Sequence, residues 1–364
     1  MQTLEYLINL ELEELVLKFN LNKKFERVSD FITDDTQSAE FIRTILDDET
    51  FIHPDETSPI YEISKARSRH STLTFLIGLV FKKFQGLYDA FGSTTRFGGE
   101  NINLKLWMMT ALSHDKGYYS ERLKKSIPAH KQFFSHRLLV NEYRDDFEIL
   151  SRYLDNVKNV LAYDYDEIKT YDIASVNWRQ NDDGDEKVDH GILGGHIVFN
   201  NYLNKLLKTR YTVVEKELYS IKTCALTIVQ HNMFKSATLE EDKKYPNKPE
   251  RLRYGGDGKI TSETPLLLFL SLIDTFECVK KFSKKDNDRS INTLTILQKI
   301  RICVDEDFIS IDYSDLFNYI EGRKQKDLIV QKNSYITSII GLETWTVLKS
   351  KFDQRTNICK ITLA

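Results

Sequence analysis

Hydrophobic positions along this chain recur mostly three and four residues apart, the spacing that lines one face of an α-helix. Near the N-terminus Leu4, Leu7, Ile8, Leu12 and Leu15 form such a stripe, which predicts an amphipathic helix used for packing or self-association. Residues 53–59 read as a turn-rich connector. From about Tyr61 a second stripe runs through His70, Leu73, Thr74, Ile77, Phe81 and Phe84. A loop with Gly92, Gly98 and Gly99 leads to Leu104, Trp107, Met108, Ala111 and Leu112, a predicted core helix that runs directly into His114 and Asp115. Further on, His190, Leu193, Gly194 and Ile197 share a helical face, and Gly194-Gly195 permits close helix–helix approach. Ile221, Cys224, Ala225, Ile228 and His231 form another stripe. PLLLFLSLIDTFE (265–277) predicts a helix apolar almost all round, interrupted by Asp274.

Beyond a charged linker at 280–289 the period changes from helical to alternating. Ile300, Ile302 and Val304, with residues 308–311, suggest a hairpin; helices are expected near 313–323 and 334–352, and residues 358–363 alternate like a strand. The predicted fold class is therefore mainly α, with a small C-terminal α+β appendage. The chain divides into an N-terminal helical segment (1–59), a helical core (60–282) carrying an insert at 118–189, and a C-terminal module (283–364).

Composition narrows the setting. At 364 residues the chain can bury a sizeable core, and its net charge of -3 gives no reason to expect an extended nucleic-acid surface. No apolar run is long enough for a bilayer span, and the N-terminus lacks a basic n-region, so no membrane association is expected. Cys224, Cys278, Cys303 and Cys359 are scattered without a CxxC pair, which suits a reducing, cytoplasmic setting.

The candidate chemistry lies in the ionisable groups on those apolar faces. His70, the pair His114-Asp115, His190 or His231, and Asp274 each interrupt a core stripe. Such groups are costly to bury unless paired, hydrogen-bonded or bound to a metal. Imidazoles and carboxylates together suit Mn, Fe, Ni, Co or Zn. An Asp can span two ions, and water held by such ions loses its proton near neutral pH.

The order of these residues resembles the HD-domain metal-dependent phosphohydrolase superfamily: a His (His70), a His-Asp pair followed by Gly (His114, Asp115, Lys116, Gly117), and a late Asp in an apolar helix (Asp274). Its two-metal branches, the HD-GYP phosphodiesterases and the HD nucleases of CRISPR systems, add further histidines between the pair and the last Asp, and His190 and His231 look like those additions. The resemblance covers roughly residues 60–282. It implies an all-α HD core in which His70, His114, Asp115 and Asp274 hold one ion and His190 and His231 complete a second, with Asp115 as the bridge. The implied function is hydrolysis of a phosphoester in a nucleotide, cyclic nucleotide or nucleic acid, with His114 and Asp115 at the catalytic centre. Nucleotides and small phosphodiesters are favoured over long nucleic acid on overall charge. Two departures stand out. Tyr118 occupies a place where many members carry Lys, and no GYP motif follows.

Other residues admit two readings. Arg67 and Arg69 flank the first ligand and either hold a substrate phosphate or form a solvated basic turn. Lys116, Tyr118 and Arg253 are further substrate-side candidates, although packing serves equally for Tyr118 and a solvated charge run for Arg253. Asp189 is either an orienting partner for a ligand or a helix N-cap. GGDGK (255–259) lacks the strand–loop–helix context and the Ser/Thr of a P-loop. The same ligand set also serves di-iron oxygenases of this superfamily, and a non-catalytic nucleotide-binding scaffold is the third alternative. A homo-oligomer is compatible with the N-terminal stripe.

Overall fold

The computed structural model describes residues 1–46, 59–82, 84, 104–117, 265–277, 292–320 and 348–363. It also describes Gly191, Gly194, Gly195, Val198, Tyr202, Ser220, Ile221, residues 223–225, Thr227, Ile228, His231 and Val330. The insert at 118–189, the basic stretch 235–264 and the linker 280–289 lie outside the described residues.

The helices start and stop where local chemistry says they should. Helix α1 (Leu4–Phe19) is capped by Thr3, whose hydroxyl accepts from the Tyr6 N–H, and it ends at Asn20 in the left-handed region at φ 49°. Leu4, Ile8, Leu12 and Leu15 are buried as the stripe predicts, and Leu7 is packed against the same core. Helix α2 (Val28–Phe31) follows a short 3-10 turn, and α3 (Asp35–Leu46) is preceded by Asp34, which accepts from the Thr36 N–H at 2.7 Å. Phe25, Phe31, Phe41 and Phe75 lock this N-terminal part onto α4 (Pro59–Phe81), with Phe31 and Phe41 stacked at 4.8 Å.

Helix α4 is the hub; α1, α3, α5 (Leu104–Ser113) and α6 (Pro265–Phe276) all pack against it. One contact fixes α5. Gly78 on α4 leaves room for the Trp107 indole, whose Nε1 donates to the Phe75 carbonyl at 3.0 Å. Trp107 in turn meets Phe269 of α6 at 4.6 Å between ring centroids, so α4, α5 and α6 share one aromatic contact just below the site.

The C-terminal part contains α7 (Thr293–Lys299), capped by Asn292, the strands β2 (Arg301–Val304) and β3 (Phe308–Asp312), α8 (Ser314–Tyr319), and the hairpin β4 (Leu348–Asp353) and β5 (Ile358–Leu363). The 300–311 hairpin and the 358–363 strand were both legible from alternation. The helix expected over 334–352 is corrected at its end, where residues 348–352 belong to β4. The turn after β4 explains the difference: Asp353 accepts from the Arg355 N–H at 2.9 Å and Asn357 sits at φ 55°, which closes a hairpin onto β5.

A second strand was not legible in the sequence. Gln2–Thr3 form β1, which pairs antiparallel with β2, so the sheet order is β1-β2-β3-β5-β4. Ile302, Ile309, Ile311, Cys359 and Ile361 face inward in register and join the same apolar cluster as α1, α4 and α6. The first and last parts of the chain therefore flank one core. None of the described helices is long and apolar enough to cross a membrane.

Candidate metal centre

The centre lies where α4, the end of α5, α6 and the helical turn carrying His231 converge. His114 and Asp115 follow Ser113 in a turn that the Lys116 N–H closes onto the Ser113 carbonyl at 2.9 Å. The partial negative charge at a helix C-terminus attracts positive charge, which suits a cation-binding position. Gly194 sits against this turn. A Cβ there would lie 3.2 Å from the Gly117 nitrogen, 3.3 Å from Ile228 and 3.4 Å from the His114 carbonyl. The close approach expected of the glycine pair is thus used at Gly194, to back the His-Asp turn.

Five sequence-predicted ligands meet here: His70, His114 and Asp115 form one potential metal-binding group, and His114, His231 and Asp274 form a second. His70 Nε2 lies 3.2 Å from His114 Nε2, 2.9 Å from Asp274 Oδ1 and 3.5 Å from Asp115 Oδ2. His114 Nε2 lies 3.5 Å from Asp115 Oδ1 and 3.8 Å from Asp274 Oδ1. Donors bound to one ion at about 2.1 Å are separated by roughly 3.0 to 3.4 Å in octahedral or tetrahedral shells. The observed separations fall in or near that range. All five groups are buried or nearly so; His114 is fully enclosed.

The hydrogen bonds fix the tautomers. His114 Nδ1 donates to the Ala111 carbonyl at 2.7 Å, and His231 Nδ1 donates to the Ile228 carbonyl at 2.6 Å. A carbonyl can only accept, so both Nδ1 atoms carry the proton. His70 faces a carboxylate on both nitrogens, and the shorter contact, Glu277 at 2.5 Å from Nδ1, favours the same tautomer. In the neutral rings every Nε2 therefore presents a lone pair. Two lone pairs facing each other across 3.2 Å repel unless a positive charge, a metal ion or a proton, lies among them. The donor set fits a divalent transition ion.

The remaining predicted residues separate. Arg67 reaches Asp115 Oδ2 with Nη1 at 3.4 Å and lines the centre. Arg69 does not. Its guanidinium pairs with Asp35 at 2.8 Å and approaches Thr293 Oγ1 at 3.4 Å, fastening α4 to α3 and α7. Lys116 lies in the turn after the pair. His190, Tyr118, Arg253 and Asp189 lie outside the described residues.

Sequence reasoning missed Glu277. It follows Asp274 by three residues, immediately after α6, where its N–H still bonds the Ile273 carbonyl and keeps it on the Asp274 face, a spacing that could have revealed it. The same rule distinguishes the two arginines: Arg67 precedes His70 by three residues and faces the same way, whereas Arg69 is rotated from it by about 100°.

These features define a class: a buried cluster of three imidazoles and two carboxylates, suited to a metal ion, on a mainly helical scaffold closed by a small antiparallel sheet. No protein-family model, curated protein or solved structure matches the chain.

Proposed function

We propose that this protein is a metal-dependent phosphohydrolase of the HD type, acting on a phosphoester of a nucleotide, cyclic nucleotide or nucleic acid. The observation that carries this reading is the convergence of three Nε2 lone pairs and two carboxylates beside one arginine. A bound divalent ion would supply Lewis acidity, polarising a phosphoryl oxygen and lowering the pKa of coordinated water to near neutral.

The chain's own residues do the rest. His70, His114, His231, Asp115 and Asp274 hold the ion. Their burial keeps bulk water out, which strengthens each electrostatic contact. Asp115 turns Oδ1 towards His114 and Oδ2 towards His70 and Arg67, so its two oxygens address different sides of the centre. That arrangement suits a bridging role if His190 completes a second metal position. Arg67 supplies a guanidinium at the edge of the cluster that matches a non-bridging phosphate oxygen.

The test is metal content by mass spectrometry for the wild type and Asp115→Ala, followed by hydrolysis of bis(p-nitrophenyl) phosphate and a nucleotide panel. One or two transition-metal ions per chain, lost in the variant together with turnover, are expected. A wild type that takes up no metal after reconstitution with Mn, Fe, Ni, Co or Zn refutes the reading. Iron-dependent oxygen uptake without phosphate release would move it to the oxygenase class.

A further inference from the structure

His70 is held differently from the other two imidazoles. His114 and His231 each donate Nδ1–H to a backbone carbonyl three residues earlier, a neutral acceptor. His70 instead faces a carboxylate on each side, one from α6 and one from the residue that follows it. Asp274 Oδ1 lies 2.9 Å from Nε2, and Glu277 Oε2 lies 2.5 Å from Nδ1. The Glu277 side chain is 0% exposed. A carbonyl would have sufficed to fix the tautomer. A buried carboxylate carries a desolvation penalty and needs a positive charge nearby to offset it.

Geometry supplies the reason: His70 Nε2 faces His114, Asp115 and Asp274, whereas Nδ1, on the far side of the ring, faces Glu277. We infer that Glu277 is a positioning residue of the metal centre: it holds His70 with the proton on Nδ1 and turns Nε2 towards the ion. An ionised acceptor on the far nitrogen also makes the imidazole a stronger donor to the metal. This inference rests on the proposal that the cluster binds metal, and goes beyond it by assigning the outer residue that tunes it.

Co2+ is a suitable probe because its visible absorption reports the ligand set. Metal-free wild type, Glu277→Gln and Glu277→Asp are titrated with Co2+ and melted without it. Glu277→Gln keeps the shape and an acceptor oxygen but removes the charge. It should weaken Co2+ binding about 10- to 100-fold and shift the visible bands, with Glu277→Asp recovering part of the affinity. A merely structural Glu277 gives the opposite split: a lowered melting temperature for the metal-free Glu277→Gln protein with Co2+ affinity within about twofold of wild type. That result overturns the inference while leaving the metal centre standing. A wild type that binds no Co2+, Mn2+ or Zn2+ removes the functional reading first, and this inference with it. Should the variants fail to fold, 15N-histidine NMR of the Zn2+-loaded wild type decides the matter. His70 should be protonated at Nδ1, with a strongly deshielded proton; protonation at Nε2 overturns the assignment.

Discussion

Gly78→Ala isolates the contact that sets the distance between α4 and α5. In the middle of an exposed helix this change stabilises a protein by roughly 0.5–1 kcal/mol, because alanine loses less backbone freedom on folding. Here the added Cβ would sit 2.2 Å from Trp107 Cζ2, 2.5 Å from Cε2 and 2.7 Å from Nε1, against an ordinary carbon contact of about 3.5–4.0 Å. The indole must retreat by more than about 1 Å, yet it is buried and braced by Phe269. Overpacking of this kind costs about 1–3 kcal/mol. Stretching the Nε1 bond to the Phe75 carbonyl, 3.0 Å in the native packing, strands the buried indole N–H at about 1–3 kcal/mol more, while the carbonyl keeps its partner within α4. The expected net loss is therefore about 2–5 kcal/mol by urea denaturation. Metal affinity should fall as well, since His114 directly follows α5 and His70 lies on α4. Trp107→Phe removes the clashing atoms, so Gly78→Ala in that background should cost at least 1 kcal/mol less than in wild type, by a double-mutant cycle. A Gly78→Ala protein more stable than wild type, or a cycle additive within about 0.5 kcal/mol, refutes the packing argument.

Two further outcomes are expected. Arg67→Met should raise KM for a phosphodiester substrate while leaving Co2+ affinity within a fewfold. Arg69→Met should leave KM unchanged and lower stability by up to about 1 kcal/mol, because it breaks a partly exposed ion pair to Asp35; steady-state kinetics and thermal melts of both variants distinguish the roles. Burial pushes the thiols of Cys224 and Cys359 up to about 12. Both pKa values lie above those of the unfolded chain, so their contribution to stability is complete below about pH 9 and is lost as pH rises towards 12. Denaturation at pH 8, 9 and 10 should show this loss, smaller in Cys224→Ala, and both thiols should resist a thiol reagent until the protein unfolds.

The parts of the site that could be read from the sequence were those where polarity breaks a periodic apolar pattern. His70, His114, His231 and Asp274 each stand in a stripe whose other members are core, and burying such a group demands a partner. Glu277 escaped notice for the complementary reason. It closes the apolar run at its C-terminal end, beside Cys278 and a charged linker, where a solvated carboxylate is the ordinary expectation. The 300–311 hairpin was legible because alternation is a local signal. The β1 strand was not, since two residues carry no period and Gln2 pairs with Ile302 at the other end of the chain. Residues 348–352 misled because they adjoin a predicted helical stretch, and only the Asp353–Asn357 turn reveals that they double back on β5.

The layout also says how the protein should respond when metal is removed. The five donors come from four separate helical elements, and α4 and α6 reach from the centre into the same core as α1 and the sheet. Without a cation the cluster keeps facing lone pairs and clustered carboxylates in place, an arrangement that favours separating the helices. An ion that binds the folded chain and not the unfolded one stabilises it by about 2.7 kcal/mol at a hundredfold excess over Kd. Chelation should therefore lower the melting temperature, and readdition of metal should restore it in a concentration-dependent way. Asp274→Asn should blunt that response even where it raises the metal-free melting temperature, since it removes one of the crowded charges. A wild-type protein that melts at the same temperature with EDTA as with saturating Mn2+, Zn2+ or Co2+ would mean that the imidazoles meet through a shared proton, a structural polar core in place of a metal centre.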